Sequence, residues 1–174
     1  ELNSHLMLFY TGIARTAAQV AEGYVNGIES RGTQLNELQQ HVGEAIKILN
    51  GNNTIIGFGE LLHEAWLIKR ELSENVSNGY VDDIYKQARK MGAIGGKLLG
   101  AGGGGFLLLF VPPEAQKEVI KYFNKLIYVP FHFEYAGSQI IFYDPRENHP
   151  DLDEERGKNL INPFQEMTVN IINK

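Results

Sequence analysis

The order of apolar and polar positions in the first half of the chain predicts one strand followed by four helices. The apolar run HLMLFY at residues 5–10 indicates a strand, which Gly12 ends. Apolar residues then recur at helical spacing in four stretches, at about 16–28, 33–49, 54–72 and 80–91. The second of these stretches has an apolar stripe formed by Leu35, Leu38, Val42, Ile46 and Leu49.

The second half returns to strands after a glycine-rich segment. Residues 92–105 include eight glycines in fourteen positions, and the apolar run FLLLFV follows at 106–111. A continuous apolar run of this length is typical of a strand buried on both faces. A helix is predicted from the Pro-Pro-Glu at 112–114 to Leu126, because proline suits a first helical turn.

The last structured segment has the pattern of a β-hairpin. Apolar and polar residues alternate from 128 to 135, Ala136-Gly137 forms the turn, and 139–143 returns as the partner strand. Helices grouped together beside mainly antiparallel strands predict an α+β domain over residues 1–143. Residues 144–174 are acidic and contain prolines, so they are predicted to be an extended tail of open role.

Composition and charge exclude several classes of protein. The 174 residues are 43% hydrophobic and 21% charged, which suits a globular domain with a hydrophobic core. A net charge of -5 argues against a nucleic-acid partner, since such proteins present a basic face. The absence of cysteine excludes disulfides and thiolate sites, and the five histidines lack metal-binding spacing, so no metal site is predicted.

Targeting features are also missing from the sequence. No apolar run reaches the length of a membrane span, and the first residues lack the basic region of a signal peptide. We therefore expect no membrane partner and a cytoplasmic location. The chain begins with Glu1 and has no initiator methionine, from which we expect it to lie within a longer protein.

The segment GGKLLGAGGGG at 95–105 is the strongest candidate for chemistry. Glycines adopt positive φ and let a backbone approach a ligand closely, and clustered backbone N–H groups bind phosphates. A dinucleotide-binding GxGxxG motif needs a preceding strand and a following helix, whereas a strand follows here. A Walker A loop is also absent, because Gly96-Lys97-Leu98 lacks the required hydroxyl and spacing. The alternative to a phosphate loop is a tight turn that packs closely against neighbouring backbone.

The run GGKLLGAGGGGFLLLF resembles the third motif of the GHMP kinases, a family of small-molecule kinases. With LLHEAWLIKRELSENVS upstream and GSQIIFY downstream, the resemblance covers about residues 1–143. It implies the C-terminal domain of this family, an α+β fold with a ferredoxin-like antiparallel sheet packed with helices. The nucleotide-binding N-terminal kinase domain of such enzymes is missing from this chain.

The resemblance also implies a division of roles. The complete enzyme is expected to use ATP and Mg²⁺ and to phosphorylate a sugar, with no catalytic residue in this fragment. The longer motifs are most similar to the branch that phosphorylates the anomeric hydroxyl of heptose 7-phosphate. The cofactor-binding loop matches residue by residue at Gly100, Ala101, Gly102, Gly103, Gly104 and Gly105.

Four further residues are candidates for binding the sugar phosphate. Lys97 precedes the loop, where its charge suits a phosphate. Trp66, Lys69 and Arg70 lie near one face of the predicted third helix, where the indole ring suits stacking on a sugar. The alternatives are a solvent-exposed lysine for Lys97, and a core tryptophan with solvated charges around it for the other three. At the level of the whole chain, the alternatives are a non-catalytic ferredoxin-like module that binds a small ligand, and a GHMP kinase for galactose or a mevalonate-type substrate.

Overall fold

The computed structural model describes residues 1–14, 28–52 and 54–141. The helices α1 to α5 span Leu2–His5, Gly32–Asn50, Ile56–Glu71, Gly79–Lys90 and Pro113–Tyr122. The strands β1 to β4 span Leu6–Tyr10, Gly95–Leu98, Phe106–Phe110 and Ile127–Tyr128. Short 3₁₀ turns lie at Ile28–Arg31 and Glu74–Val76. The predicted α+β class is confirmed, as are the predicted helices that correspond to α2, α3 and α4. The predicted helix at 16–28 and the tail at 144–174 lie almost wholly outside the described residues.

The four strands form one antiparallel sheet in the order β2-β3-β1-β4. The long central pair joins β1 to β3, from Leu6 opposite Phe110 to Tyr10 opposite Phe106. The strand β2 pairs with the other edge of β3, from Gly95 opposite Phe110 to Leu98 opposite Leu107. The glycine loop therefore joins two neighbouring strands, β2 and β3, at the end of the sheet where β1 also ends.

The central strands separate two groups of buried side chains. Alternate residues of a strand point to opposite faces, so Met7, Phe9, Leu107 and Leu109 share one face. These four side chains belong to the larger core, which also includes Val81, Tyr85 and Ala88 of α4 and Val119 of α5. Leu6 and Phe110 belong to a smaller core with Ile55. Each face of the sheet thus buries apolar surface, as the continuous apolar run at 106–111 predicts.

Glycines let α3 and β3 approach the strand β2 closely. A Cβ atom at Gly96 would lie 2.5 Å from the carbonyl oxygen of Leu108. A Cβ atom at Gly95 would collide with the carbonyl oxygen of Gly59 in α3. The first two glycines of the segment therefore form a strand packed against a helix, although the sequence alone suggested that they begin the loop.

The predicted hairpin at 128–143 is wrong over the residues that the structure describes. The strand β4 has only two residues, which pair with Phe9 and Tyr10 of β1. One more backbone hydrogen bond joins the N–H of Val129 to Leu8, and then Pro130 follows, which has no N–H to continue the ladder. No strand occurs from 129 to 141.

The chain divides into two compact units, Glu1–Phe133 and Glu134–Lys174. In the part of the second unit that is described, residues 134–141, there is no helix or strand. The predicted domain boundary at residue 143 stays a prediction. Within the described ranges no helix is long and apolar enough to span a membrane.

The helix α2 has an exposed apolar stripe. It packs on α3, which in turn packs on β2. Four of the five members of its predicted stripe are exposed, namely Leu35, Val42, Ile46 and Leu49. Helical periodicity therefore located this helix correctly, while burial of the stripe does not follow from the periodicity.

Candidate functional site

The loop from Leu99 to Gly105 depends on backbone conformations that favour glycine. Gly100, Gly102, Gly103 and Gly105 have φ values of 67°, 119°, 77° and 84°. The N–H of Leu99 donates to the carbonyl of Phe106 across 2.9 Å and closes the base of the loop. A side chain at the positive-φ positions would cost about 1–3 kcal/mol in backbone strain.

On the β1 side, a buried threonine holds the end of the loop. Thr11 is 2% exposed. Its backbone N–H and its hydroxyl both donate to the carbonyl of Gly105, across 2.8 and 2.9 Å. The N–H of Gly105 in turn donates to the carbonyl of Ile13 across 2.8 Å. The last glycine of the loop is thus hydrogen-bonded to the segment that follows β1.

On the opposite side, the turn between α3 and α4 holds the middle of the loop. The N–H of Gly103 donates to the carbonyl of Val76 across 2.8 Å. The side-chain amide of Asn78 donates to the carbonyl of Gly103 across 3.0 Å. A Cβ atom at Gly102 would lie 2.6 Å from the carbonyl oxygen of Val76, so the loop touches this turn backbone to backbone. The tight-turn alternative is therefore correct for part of the loop.

Other loop amides have no partner among the residues that the structure describes. Gly103 and Gly105 use their N–H groups internally, whereas those of Gly100, Ala101, Gly102 and Gly104 donate to no acceptor among the described residues. They border a cavity of about 380 Å³ that is also lined by the rings of Tyr10 and Phe106, whose centroids are 5.2 Å apart. A concave backbone with unpaired N–H groups is a chemically suitable receptor for a phosphate.

Lys69 and Lys97, two of the predicted binding residues, lie close to each other. The ammonium group of Lys69, at the C-terminal end of α3, donates to the carbonyl of Gly100 across 2.5 Å. Burial, and then the positive charge of Lys97, lower the pKa of Lys69 to about 8. Lys97 is half-buried in β2 and lines a groove between α2 and α3.

Arg70 is engaged elsewhere. Its guanidinium donates to the carboxylate of Asp82 across 2.8 Å, and the two side chains are 37% and 35% exposed. The hydroxyl of Ser77 donates to the other oxygen of the same carboxylate across 2.6 Å. These three residues line a surface pocket that shares no lining residue with the loop cavity. Arg70 thus braces the turn that touches the loop.

Trp66 is buried in the core, which supports the alternative that it is a core tryptophan. The side chain has no exposed surface, and its ring packs 6.1 Å from that of Tyr85. The indole offers no face on which a sugar could stack, which corrects the prediction of a stacking role. Its Nε1–H has no hydrogen-bond partner among the described residues.

A histidine and a tyrosine form a polar pair next to Trp66. His63 and the hydroxyl of Tyr85 are joined by a hydrogen bond of 2.7 Å. Burial, and then the charge of Arg89, lower the pKa of His63. Burial raises the pKa of Tyr85 to about 12. Both groups therefore favour their neutral forms, and we assign this pair to packing of α3 against α4.

Thr11 and Asn78, the residues that hold the loop, were not predicted from the sequence. Asn78 carries a sequence signal as a helix N-cap, but nothing in the sequence links it to a glycine 25 positions later. Across the described ranges, no group of three or more His, Asp or Glu side chains is arranged to hold a metal ion.

Comparisons with known proteins place this fold and loop in a family. Residues 36–128 match the family described as GHMP kinases C terminal. The D-glycero-alpha-D-manno-heptose 7-phosphate kinase of Campylobacter jejuni is 32% identical over 127 residues, which cover 72% of this chain and 37% of that protein. The bifunctional fucokinase/GDP-fucose pyrophosphorylase of Arabidopsis thaliana is 34% identical over 127 residues, which cover 68% of this chain and 12% of that protein.

A solved structure of the same architecture supports the assignment. The crystal structure of the Methanococcus jannaschii mevalonate kinase superposes with a TM-score of 0.60 and 27% identity, over 71% of this chain and 38% of that one. The architecture is thus that of the C-terminal domain of a small-molecule kinase. The chain belongs to the GHMP kinase family, of which it is a C-terminal domain. It spans well under half the length of these relatives.

Proposed function

We propose that this chain is the C-terminal domain of an ATP-dependent sugar kinase and works only together with an N-terminal kinase domain. The observation that carries the proposal is the glycine loop. Its amides that have no acceptor in the described part of the chain border a cavity, and Lys69 adds a positive charge at Gly100. Phosphoryl transfer depends mainly on positioning and on stabilising charge at the phosphate oxygens. Backbone donors that are held in place before the ligand arrives supply both the positioning and the stabilisation of charge.

The proposed reaction transfers the γ-phosphoryl group of ATP to the anomeric hydroxyl of heptose 7-phosphate. Similarity to the Campylobacter jejuni enzyme over 127 residues supports this substrate. A sugar that already carries a phosphate brings a dianion, and Lys69 and Lys97 supply positive charge next to the loop in a chain whose net charge is -5. Hydrogen bonds to charged groups contribute about 1.5–3 kcal/mol each.

ATP and Mg²⁺ are the proposed cofactors, and the two fit this chain differently. The loop amides are chemically suited to phosphate oxygens, so we propose Gly100, Ala101, Gly102 and Gly104 as donors to a bound phosphate. Mg²⁺ prefers carboxylate oxygens and water. Over the described ranges no cluster of such side chains exists, so we assign no Mg²⁺ ligand to this chain.

A substrate panel on the complete kinase tests the proposal. Heptose 7-phosphate, the unphosphorylated heptose, galactose and mevalonate are compared by ADP release. We expect kcat/KM for the heptose 7-phosphate to exceed that for the free heptose by about 100-fold, the effect of one or two charge-assisted contacts. Equal values for the two heptoses would contradict a phosphate pocket, and a preference for mevalonate or galactose would assign the chain to another branch.

The isolated chain provides a second test. Inorganic phosphate titrated into the ¹⁵N-labelled chain should shift the amide signals of the loop more than those of α5. No ADP release should occur with ATP and any sugar, because the nucleotide-binding half is absent. Sugar-dependent ADP release by the purified 174 residues would refute the proposed division of roles. Phosphate binding combined with no turnover in the complete protein would favour a non-catalytic binding module.

A further inference from the structure

Asn78 connects two parts of the structure through the two ends of its side-chain amide. Its Oδ1 accepts a hydrogen bond of 3.1 Å from the N–H of Val81, as the N-cap of α4. Its Nδ2 donates to the carbonyl of Gly103 across 3.0 Å. An amide has both an acceptor and donors, whereas an ionised carboxylate accepts only. Capping alone is served equally well by Asp. The second contact is the one that requires Asn.

The glycine that Asn78 holds is bound at both of its backbone groups. The N–H of Gly103 donates to the carbonyl of Val76, and its carbonyl accepts from Asn78. Gly102 lies directly against Val76, where a Cβ atom would have no room. The two peptide groups on either side of Gly103 are therefore held, the first by Val76 and the second by Asn78. The second peptide group also contains the N–H of Gly104, which has no acceptor among the described residues.

The turn that holds the loop is itself fixed by a buried side chain and by hydrogen bonds to the neighbouring helices. Val76 is fully buried in the larger core. Asp82, in the first turn of α4, accepts hydrogen bonds from Ser77 and from Arg70. The turn is thus tied to both α3 and α4, and Asn78 is the side chain that transmits this rigidity to the loop.

We propose that Asn78 is a positioning residue that holds the glycine loop in its phosphate-binding conformation. This inference rests on the proposed function of the loop. A glycine-rich loop loses a great deal of conformational entropy when it is ordered. A contact that orders it in the free protein removes that cost from ligand binding. The side chain of Asn78 touches the loop carbonyl, and its effect on the ligand passes through Gly103.

Two substitutions separate the two contacts of Asn78. Asn78→Asp keeps the N-cap acceptor and places a negative charge at a helix N-terminus, where it is favourable, but removes the donor to Gly103. Asn78→Ala removes both contacts. The control is Asn75→Asp, which makes the same charge change in the same turn at an exposed residue whose side chain makes no contact with the loop in the described structure.

The measurements are the urea unfolding midpoint, hydrogen exchange of the Gly103 amide, and affinity for inorganic phosphate. For Asn78→Asp we expect an unchanged unfolding midpoint, because the favourable charge at the helix N-terminus offsets the lost hydrogen bond. Exchange of the Gly103 amide should be about tenfold faster and phosphate affinity about tenfold weaker, the effect of one lost hydrogen bond. Asn78→Ala should show the same two changes together with a lower midpoint. Asn75→Asp should leave all three quantities near those of the parent.

Each result that differs from these expectations contradicts either the positioning role of Asn78 or the proposed function of the loop. Unchanged Gly103 exchange in Asn78→Asp would overturn the positioning role, as would an equal loss of phosphate affinity in Asn75→Asp. An unfolding midpoint lowered as far as in Asn78→Ala would overturn it too, because capping would then be lost in both variants. Faster exchange in Asn78→Asp with no phosphate binding by the parent chain would instead contradict the proposed function of the loop, and the positioning contact would stand.

Discussion

Lys69 and Gly100 lie 31 residues apart in the chain and meet through a hydrogen bond of 2.5 Å between an ammonium group and a backbone carbonyl. The contact brings the C-terminal end of α3 to the first glycine of the loop. Since α3 packs on β2, the helix that carries Lys69 is in contact with the strand that leads into the loop. The contact brings a positive charge to the start of a loop in which several N–H groups have no acceptor among the described residues.

Two glycines of the loop should respond differently to the same substitution. Gly100 and Gly102 both have positive φ, but a Cβ atom at Gly100 would meet nothing within 4 Å, whereas one at Gly102 would meet the backbone of Val76. We expect Gly100→Ala to cost about 1 kcal/mol of unfolding free energy and Gly102→Ala about 2–3 kcal/mol more. Urea denaturation of the two variants measures this difference. Equal costs would mean that the loop does not rest on Val76.

Trp66 should behave as a core residue. Trp66→Ala removes a fully buried ring and should lower the unfolding free energy by about 3–5 kcal/mol. Trp66→Phe should cost much less, because it retains an aromatic ring and removes an indole N–H that has no partner in the described structure. Phosphate affinity of Trp66→Phe should equal that of the parent chain. Loss of affinity at unchanged stability would restore the stacking role that the sequence suggested.

Arg70 and Asp82 should be coupled in stability and not in direct binding of phosphate. The pair is about one-third exposed, so a double-mutant cycle with Arg70→Met and Asp82→Asn should give a coupling energy of about 1 kcal/mol. Arg70→Met should weaken phosphate binding far less than Lys69→Met does. A larger loss of affinity in Arg70→Met, with hydrogen exchange of the Gly103 amide unchanged, would mean that its guanidinium reaches the ligand directly.

Much of the fold could be predicted from local patterns. The strands at Leu6–Tyr10 and Phe106–Phe110 and the helices α2 to α4 have clear apolar periodicity. The strand β2 was missed because Gly95 and Gly96 have the composition of a loop. They are glycines because α3 and β3 leave no space for a side chain, and such crowding depends on residues far away in the chain.

The site was predictable only in part, for the same reason. The glycine motif identified the loop, and the charges of Lys69 and Lys97 indicated an anion. The partners of the loop, Thr11, Val76 and Asn78, lie between 25 and 94 positions away from the glycines that they hold. Chain folding alone brings them together, and neither periodicity nor composition encodes such pairings.

The depressed pKa of Lys69 predicts how stability depends on pH. The pKa is about 8 in the folded chain, against 10.5 for an ordinary lysine, because burial and then Lys97 disfavour the charged form. Between these two values the unfolded chain binds more protons than the folded one, so this lysine makes the protein more stable as pH rises from 8 to 10.5. Below pH 8 the charged group lowers stability by its full amount.

Comparison with Lys69→Met isolates this effect from other titrating groups. The unfolding free energy of the variant minus that of the parent should fall by about 1 kcal/mol between pH 7 and pH 10, a value reduced for the partial exposure of the group. When the same comparison is made in a chain that carries Lys97→Met, the fall in unfolding free energy should be smaller, because the charge of Lys97 no longer lowers the pKa of Lys69. Lys90→Met, at an exposed lysine of α4, controls for the loss of one positive charge.

A bound phosphate should favour the charged form of Lys69, so phosphate affinity should decrease as pH rises above 8. An affinity that stays constant from pH 8 to pH 10, where phosphate is almost wholly dianionic, would show that Lys69 does not face the anion.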